Sequence, residues 1–338
     1  MNPTVTTKPA EDTLPRLSVT AAPHIHSGGS TRRIMFSVLV ALVPALAAGT
    51  WFFGPRALTL TAVTVLACLV SEWLFRLVTR QPNSLPDGSA AVTGVLLALT
   101  LPATAPYWLG AVGGVFAIVV VKGLLGGLGQ NIFNPALAAR AFLMLLWPSW
   151  LVRYAPPGAG LPLLGSTVDV VSAATPLHHM QMPALPDATL LDMFLGNIGG
   201  TIGEVSALAL LLGAGFLLLR KVISWRIPIA YLGSVALLTL VFSKGDDPVS
   251  WMLYSLLGGG VMLGALFMAT DYATSPAAPT AQLVYGAGCG VLTVLFRYFG
   301  LYPEGVTYAI LLMNACAWAL DKALPPKRFG LVKGGDPA

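Results

Sequence analysis

Residues 34–53 read IMFSVLVALVPALAAGTWFF, twenty positions without a charge. At 1.5 Å per residue a helix of that length reaches about 30 Å, the thickness of a bilayer's hydrocarbon layer. Comparable apolar runs lie near 57–78, 90–102, 107–125, 134–150, 199–220, 226–242, 251–270, 281–300 and 305–321. The chain therefore reads as an all-α polytopic membrane protein with about ten transmembrane helices. Composition agrees, since 10% of the 338 residues are charged and 56% hydrophobic, whereas soluble domains carry roughly a quarter charged residues. So few charges cannot cover a soluble surface, and a soluble enzyme is excluded.

The formal charge of +5 would suggest a nucleic-acid partner in a soluble chain. Here the basic residues stand at the ends of apolar runs, so they set topology and no nucleic acid is expected. With the amino terminus inside, Lys8, Arg16, Arg32, Arg33, Arg76, Arg80, Lys122, Arg220, Lys221, Arg226, Lys322, Lys327, Arg328 and Lys333 are cytoplasmic, and only Arg56, Arg153, Lys244 and Arg297 fall outside. The bias places both termini in the cytoplasm and the long 151–198 segment on the outer, periplasmic face. STRRIMF at 30–36 is similar to a twin-arginine export signal. A full span and many more follow it, so a retained first helix is expected.

The third run is too short to cross alone. It starts after Pro86-Asp87-Gly88 and ends at Pro102, which predicts a half helix or re-entrant segment. Gly258-Gly259-Gly260 breaks the eighth run at a comparable place in the second half. Paired interruptions are the mark of two five-helix repeats, and an odd number of spans per repeat inverts one against the other. On this reading the chain comprises a flexible tail (1–33), a first repeat (34–150), the outer loop (151–198), a second repeat (199–321) and a short tail (322–338).

Few side chains inside the runs carry chemistry. Glu72 and Arg76 stand at i and i+4 and can satisfy one another. Arg140, placed near the cytoplasmic mouth, and Glu204, placed near the outer face, pair structurally or line a wet cavity. Cys68, Cys289 and Cys316 have no CxxC spacing and read as small buried hydrophobes, with a metal at Cys316 shared with a partner the alternative. His178 and His179 lack a third ligand at a set spacing, so no metal site is expected. No histidine stands where a nucleophile triad would need it, so no catalytic residue is assigned. The glycine-rich stretch from Gly123 to Asn134 lies between two membrane helices, the wrong context for a phosphate loop. It serves close packing, or it joins Asp87-Gly88 and Thr270-Asp271-Tyr272-Ala273-Thr274 at a cytoplasmic mouth where amides and hydroxyls could hold a ligand's polar edge.

The outer loop contains Asp169-Val-Val-Ser172-Ala173-Ala174-Thr175. Small residues before the threonine would let an enzyme reach its hydroxyl and leave room for a bulky group; composition alone also admits an ordinary turn. The string resembles the flavin attachment motif of the Rnf D and Nqr B membrane subunits, Asp-x-x-Ser-Gly-Ala-Thr. Asp169, Ser172, Ala174 and Thr175 match, and Ala173 replaces the usual glycine. Thr31-Arg32-Arg33-Ile-Met, the segment from Gly126 through Asn131, Asn134 and Pro135 to Arg140, and the segment Phe267 to Pro276 resemble the same family.

That resemblance implies a fold like the urea transporters, an FMN esterified through its phosphate to Thr175 by a dedicated flavin transferase, and a non-covalent riboflavin. Asn131, Asn134, Asp271 and Thr274 are the residues expected at the second flavin. The implied function is electron relay within an ion-translocating ferredoxin:NAD oxidoreductase of Rnf type in a bacterial inner membrane. The implied partners are a second covalent flavoprotein, iron–sulfur subunits and small membrane subunits. Two alternatives remain open at this point: an Nqr B protein passing electrons to quinone, and a redox-free channel of urea-transporter type. The roughly 33 polar residues before the first span favour Rnf D, since Nqr B chains usually carry a longer extension.

Overall fold

The computed structural model describes residues 30–82, 84–126, 131–163, 185–186, 188–300 and 305–325. Residues 1–29 and 326–338 of the two tails, the attachment string 169–175 and His178-His179 lie outside the described residues; residues 31–33 and 322–323, assigned to the tails, belong to the first and last helices. From Thr31 onward the described elements are helical, apart from one isolated antiparallel bridge between Pro102 and Thr201. Four helices are long and apolar enough to cross a membrane: α1 (Thr31–Phe53), α2 (Pro55–Thr79), α4 (Tyr107–Val115, continued by π-helical turns over Phe116–Leu124) and α12 (Pro279–Phe299). A bent pair adds a broken span or re-entrant loop, with α10 (Pro248–Leu257) and α11 (Val261–Leu263, continued to Met268) meeting at 62°. The chain is a polytopic membrane protein whose described elements are helical.

Shorter apolar helices fill the rest: α3 (Ser89–Leu99), α5 (Pro135–Leu146), α8 (Ala207–Leu219) and α9 (Arg226–Val241). A four-residue turn α6 (Pro148–Leu151), α7 (Leu190–Leu195) and the closing α13 (Val306–Ala323) complete the order. The half helix expected in the third run is α3, set off by Gly88 at φ 80°. The triple glycine also breaks its run as expected, with Gly259 and Gly260 both at φ 68°, a conformation that glycine adopts without the penalty of a Cβ. Two runs differ from expectation. The run 199–220 is helical only from Ala207, and the run 134–150 stops at Leu146 because Pro148 begins a new turn.

Broken helices leave carbonyls and amides without partners, and hydrocarbon supplies none. The residues before α8 solve this for α3. Ile202 N donates to Leu101 O at 3.0 Å and Gly203 N to Leu99 O at 2.8 Å, so a turn crosses the end of the half helix. At the other break Arg297 of α12, only 6% exposed, donates to Ser255 O (2.5 Å), Gly258 O (2.7 Å) and Gly259 O (3.3 Å). Arg56 does similar work at the start of α2, donating to Ala103 O, Ala105 O and Pro162 O. Charge placement alone sets Arg56 and Arg297 outside the membrane; the structure buries both side chains against backbone carbonyls.

Close helix approach does the remaining work, because in lipid the apolar effect between helices is weak and packing dominates. Gly286 and Gly290, one turn apart on α12, lie against Ile227 O and Tyr231 O of α9, and Tyr231 Oη and Thr293 Oγ1 share a hydrogen bond of 2.7 Å across that pair. A methyl on Gly213 of α8 would stand 2.0 Å from Ala41 O of α1. Outward faces are apolar, with Trp51, Leu66, Val70 and Trp73 exposed as lipid-facing residues should be. Cys68 and Cys289 are buried as expected, whereas Cys316 is exposed on α13, a correction to its reading as a buried hydrophobe.

Two sets of substitutions test this packing. Gly213→Ala forces a backbone shift between α1 and α8 and should cost about 1–3 kcal/mol, whereas Gly215→Ala, with nothing within 4 Å, should be neutral or stabilise by up to about 1 kcal/mol. Thermal unfolding in detergent reads the difference. Arg297→Met leaves three buried carbonyls short of a donor, each worth about 1–3 kcal/mol. Its yield of folded protein should drop sharply, with Arg297→Lys intermediate.

Candidate functional site

The start of α1, the start of α3, the end of α4, the residues leading into α5 and the turn after α11 enclose a cavity of about 350 Å³. That lies within the range of small-molecule sites, about 300–1,000 Å³. Met35, Val38, Leu96 and Phe267 give it apolar walls, and Ser89, Thr93, Lys122, Asn131, Asn134 and Asp271 a polar side. Discontinuous helices create this space, since a continuous α3 or α11 would fill it with backbone and side chains.

Three of the four residues expected at a second flavin thus line this one cavity: Asn131, Asn134 and Asp271. Thr274 does not line the cavity. It is buried behind it, donating to Asp271 Oδ2 at 3.2 Å. Asn134 has a second task. As the N-cap of α5 its Oδ1 accepts from Ala136 N and Leu137 N, while Nδ2 donates to Met268 O at 3.2 Å. With the Asn314 amide oriented to donate to Tyr285 Oη and Ile310 O, its oxygen accepts from Asn134 N at 3.0 Å. Asn134 therefore ties α5, α11 and α13 together at the cavity floor.

Lys122 is the residue that charge counting does not find. Its place at a run end sets it in the cytoplasm, yet it is only 4% exposed, and its Nζ donates to Glu72 Oε1 and Ser89 Oγ, both at 2.6 Å. Glu72 pairs with this lysine and not with Arg76, which donates to Gln81 and Ser84. Ser84 Oγ donates to the same Glu72 oxygen at 2.5 Å, and Ser89 N and Oγ donate to Asp87 Oδ1. A polar network thus anchors the entry of α3, and Glu72 Oε2 is buried in it with no hydrogen-bond partner among the described residues. Two residues 50 positions apart give no local signal; two charges in apolar runs that each need a partner were the available clue.

Arg140, expected near the mouth, is not on the main cavity's wall. It shares a separate small chamber of about 30 Å³ with Glu204, Thr201, Thr100 and Gly259-Gly260, and with apolar Leu137, Leu263 and Val306. Thr201 Oγ1 donates to Glu204 Oε2 at 3.3 Å. A chamber of that size accommodates ordered water and nothing larger. Among the described residues no group of three or more His, Cys, Asp or Glu could hold a metal ion.

The lining is compatible with the second flavin expected from the resemblance: its apolar residues suit a fused ring, and its donors and acceptors suit a polar edge. Thr175 and the rest of its string lie outside the described residues.

Comparison with known proteins agrees over nearly the whole chain. The model of the NQR2, RnfD, RnfE family matches residues 18–330. The D subunit of the Na(+)-translocating ferredoxin:NAD(+) oxidoreductase complex of Acetobacterium woodii is 45% identical over 322 residues, covering 94% of this chain and 96% of that one. The proton-translocating counterpart from Clostridium ljungdahlii is 38% identical over 327 residues (93% and 96%). The D subunit of the ion-translocating oxidoreductase complex of Stutzerimonas stutzeri is 38% identical over 334 residues (91% and 94%). A match of this length and identity, joined to the polytopic helical fold, places the chain in the NQR2, RnfD, RnfE family.

Proposed function

We propose that this chain is the D subunit of an Rnf-type ion-translocating ferredoxin:NAD oxidoreductase, and that it relays electrons across the membrane between an FMN on Thr175 and a second flavin in the 350 Å³ cavity. The observation that carries this reading is full-length similarity to proteins each named as the D subunit of an ion-translocating oxidoreductase complex, two of them of ferredoxin:NAD(+) type. Those names favour the Rnf assignment over Nqr B. A redox-free channel would have no use for the string Asp169 to Thr175.

The proposed architecture is about ten spans in two inverted repeats, both termini in the cytoplasm and the 151–198 loop outside. Its support is a sequence echo at the two breaks. Gly94, Leu96, Thr100, Ala103, Thr104 and Pro106 stand against Gly264, Leu266, Thr270, Ala273, Thr274 and Pro276, each 170 positions later. Each break also receives a buried cation from the end of a nearby long helix, Lys122 in the first and Arg297 in the second.

A bound flavin supplies reversible one- and two-electron chemistry, and the protein supplies position and electrostatics. In the cavity Asn131 and Asp271 would hold the polar edge, Met35, Leu96 and Phe267 would exclude water from the ring, and Asn134 would keep the floor rigid. In the outer loop Ser172, Ala173 and Ala174 leave the Thr175 hydroxyl accessible to a flavin transferase, with Asp169 the acidic member of the string. A covalent tether there would prevent loss of the cofactor to the exterior. The iron–sulfur and nicotinamide sites belong to partner subunits, since three scattered cysteines cannot ligate a cluster.

Mass spectrometry of the denatured chain, with in-gel flavin fluorescence, tests the attachment. Protein from a host with the transferase should carry the mass of one FMN, and Thr175→Ala should lose both mass and fluorescence. An unmodified Thr175 from such a host contradicts the proposal.

A further inference from the structure

Lys122 stands on the partition between two cavities. It lines the 350 Å³ cavity together with Ser89, and on its other side it lines a smaller recess of about 60 Å³ together with Glu72 and Gly123. Among the described residues of the larger cavity it is the one cation, and Asp271 is the one acid. An ammonium group has three N–H donors. Two are directed to Glu72 Oε1 and Ser89 Oγ, and the third has no acceptor among the described residues.

Burying an ion pair inside a membrane protein is costly, and apolar residues of similar volume often stabilise as well or better. A pair of purely structural value has no need to open onto a ligand-sized space. Ser84 and Ser89 fix the pair from both sides, so Lys122 Nζ cannot swing out to water without breaking two hydrogen bonds of 2.6 Å. The result is a fixed positive charge with a spare donor at the wall of a largely apolar cavity, where screening is weaker than in water.

We propose that Lys122 is a positioning residue for the ligand of this cavity: its free N–H is directed to an electronegative edge of the bound ring, and its charge favours the more negative redox form. This role rests on reading the cavity as a flavin site. Glu72 is then the counter-charge that moderates the effect, and Ser89 the group that sets the direction of the ammonium.

The test uses the intact complex purified with the wild-type chain, Lys122→Arg, Glu72→Gln, and the double substitution Lys122→Met with Glu72→Gln, which removes both charges and leaves none stranded. Non-covalent flavin is counted after acid extraction, and its midpoint potential is measured by spectroelectrochemistry. The wild type should hold one non-covalent flavin. The double variant should retain it at least about tenfold more weakly, roughly the worth of one hydrogen bond to a charged group, or hold it at a lower potential. Lys122→Arg should stay near wild type, and Glu72→Gln should shift the potential upward. A wild-type complex without non-covalent flavin overturns the reading of the cavity. A wild-type complex that holds it, with the double variant matching wild type in both retention and potential, overturns the role of Lys122 alone. Should the double variant not assemble, Glu72→Gln decides: an unchanged potential contradicts the proposal.

Discussion

A backbone amide or carbonyl inside hydrocarbon must find its partner within the protein, and each failure costs several kcal/mol. Most membrane helices meet this rule by continuing unbroken. This chain stops one short, α3, at Leu99 and breaks another at Gly258-Gly259-Gly260, and so must supply partners from elsewhere. The turn before α8 serves the end of α3, Asn134 serves Met268, and Arg297 serves the carbonyls ahead of α11. These contacts join segments distant in the chain, so the same groups that satisfy the breaks also tie the fold together.

The cavity is the other consequence. Two half helices that stop short leave a space near their ends, and the groups stationed there to satisfy backbone or to pair with each other are polar. Lys122, Ser89, Asn131, Asn134 and Asp271 therefore face a volume whose remaining walls are apolar. Structure and site arise from one cause. A fold made of unbroken spans would have neither the polar groups nor the room.

The elements legible in the sequence were those with local signals. Hydropathy located the long spans, and Pro86-Asp87-Gly88 and the triple glycine marked the breaks because each changes the backbone where it stands. Asn131, Asn134 and Asp271 were grouped as amides and polar groups sharing one mouth, and all three line the same cavity. The Lys122–Glu72 pair was not legible, since its members lie in different runs and Arg76 offered a nearer partner for Glu72 at helical spacing. Arg56 and Arg297 show a related limit: a count of charges at run ends cannot tell a cation in water from one bound to carbonyls. Exposure of Cys316 depends on which face α13 turns outward, and its weakly amphipathic sequence does not decide that.

Fold, polar wall and proposed electron path converge on the space between the two half helices, and its occupant decides whether they belong together. A high-resolution electron cryomicroscopy map of the intact complex in lipid would show it most directly. A flavin there predicts flat three-ring density bounded by Asn131, Phe267, Asp271 and Lys122. Density for a lipid chain, or side chains collapsed into that space, would contradict it.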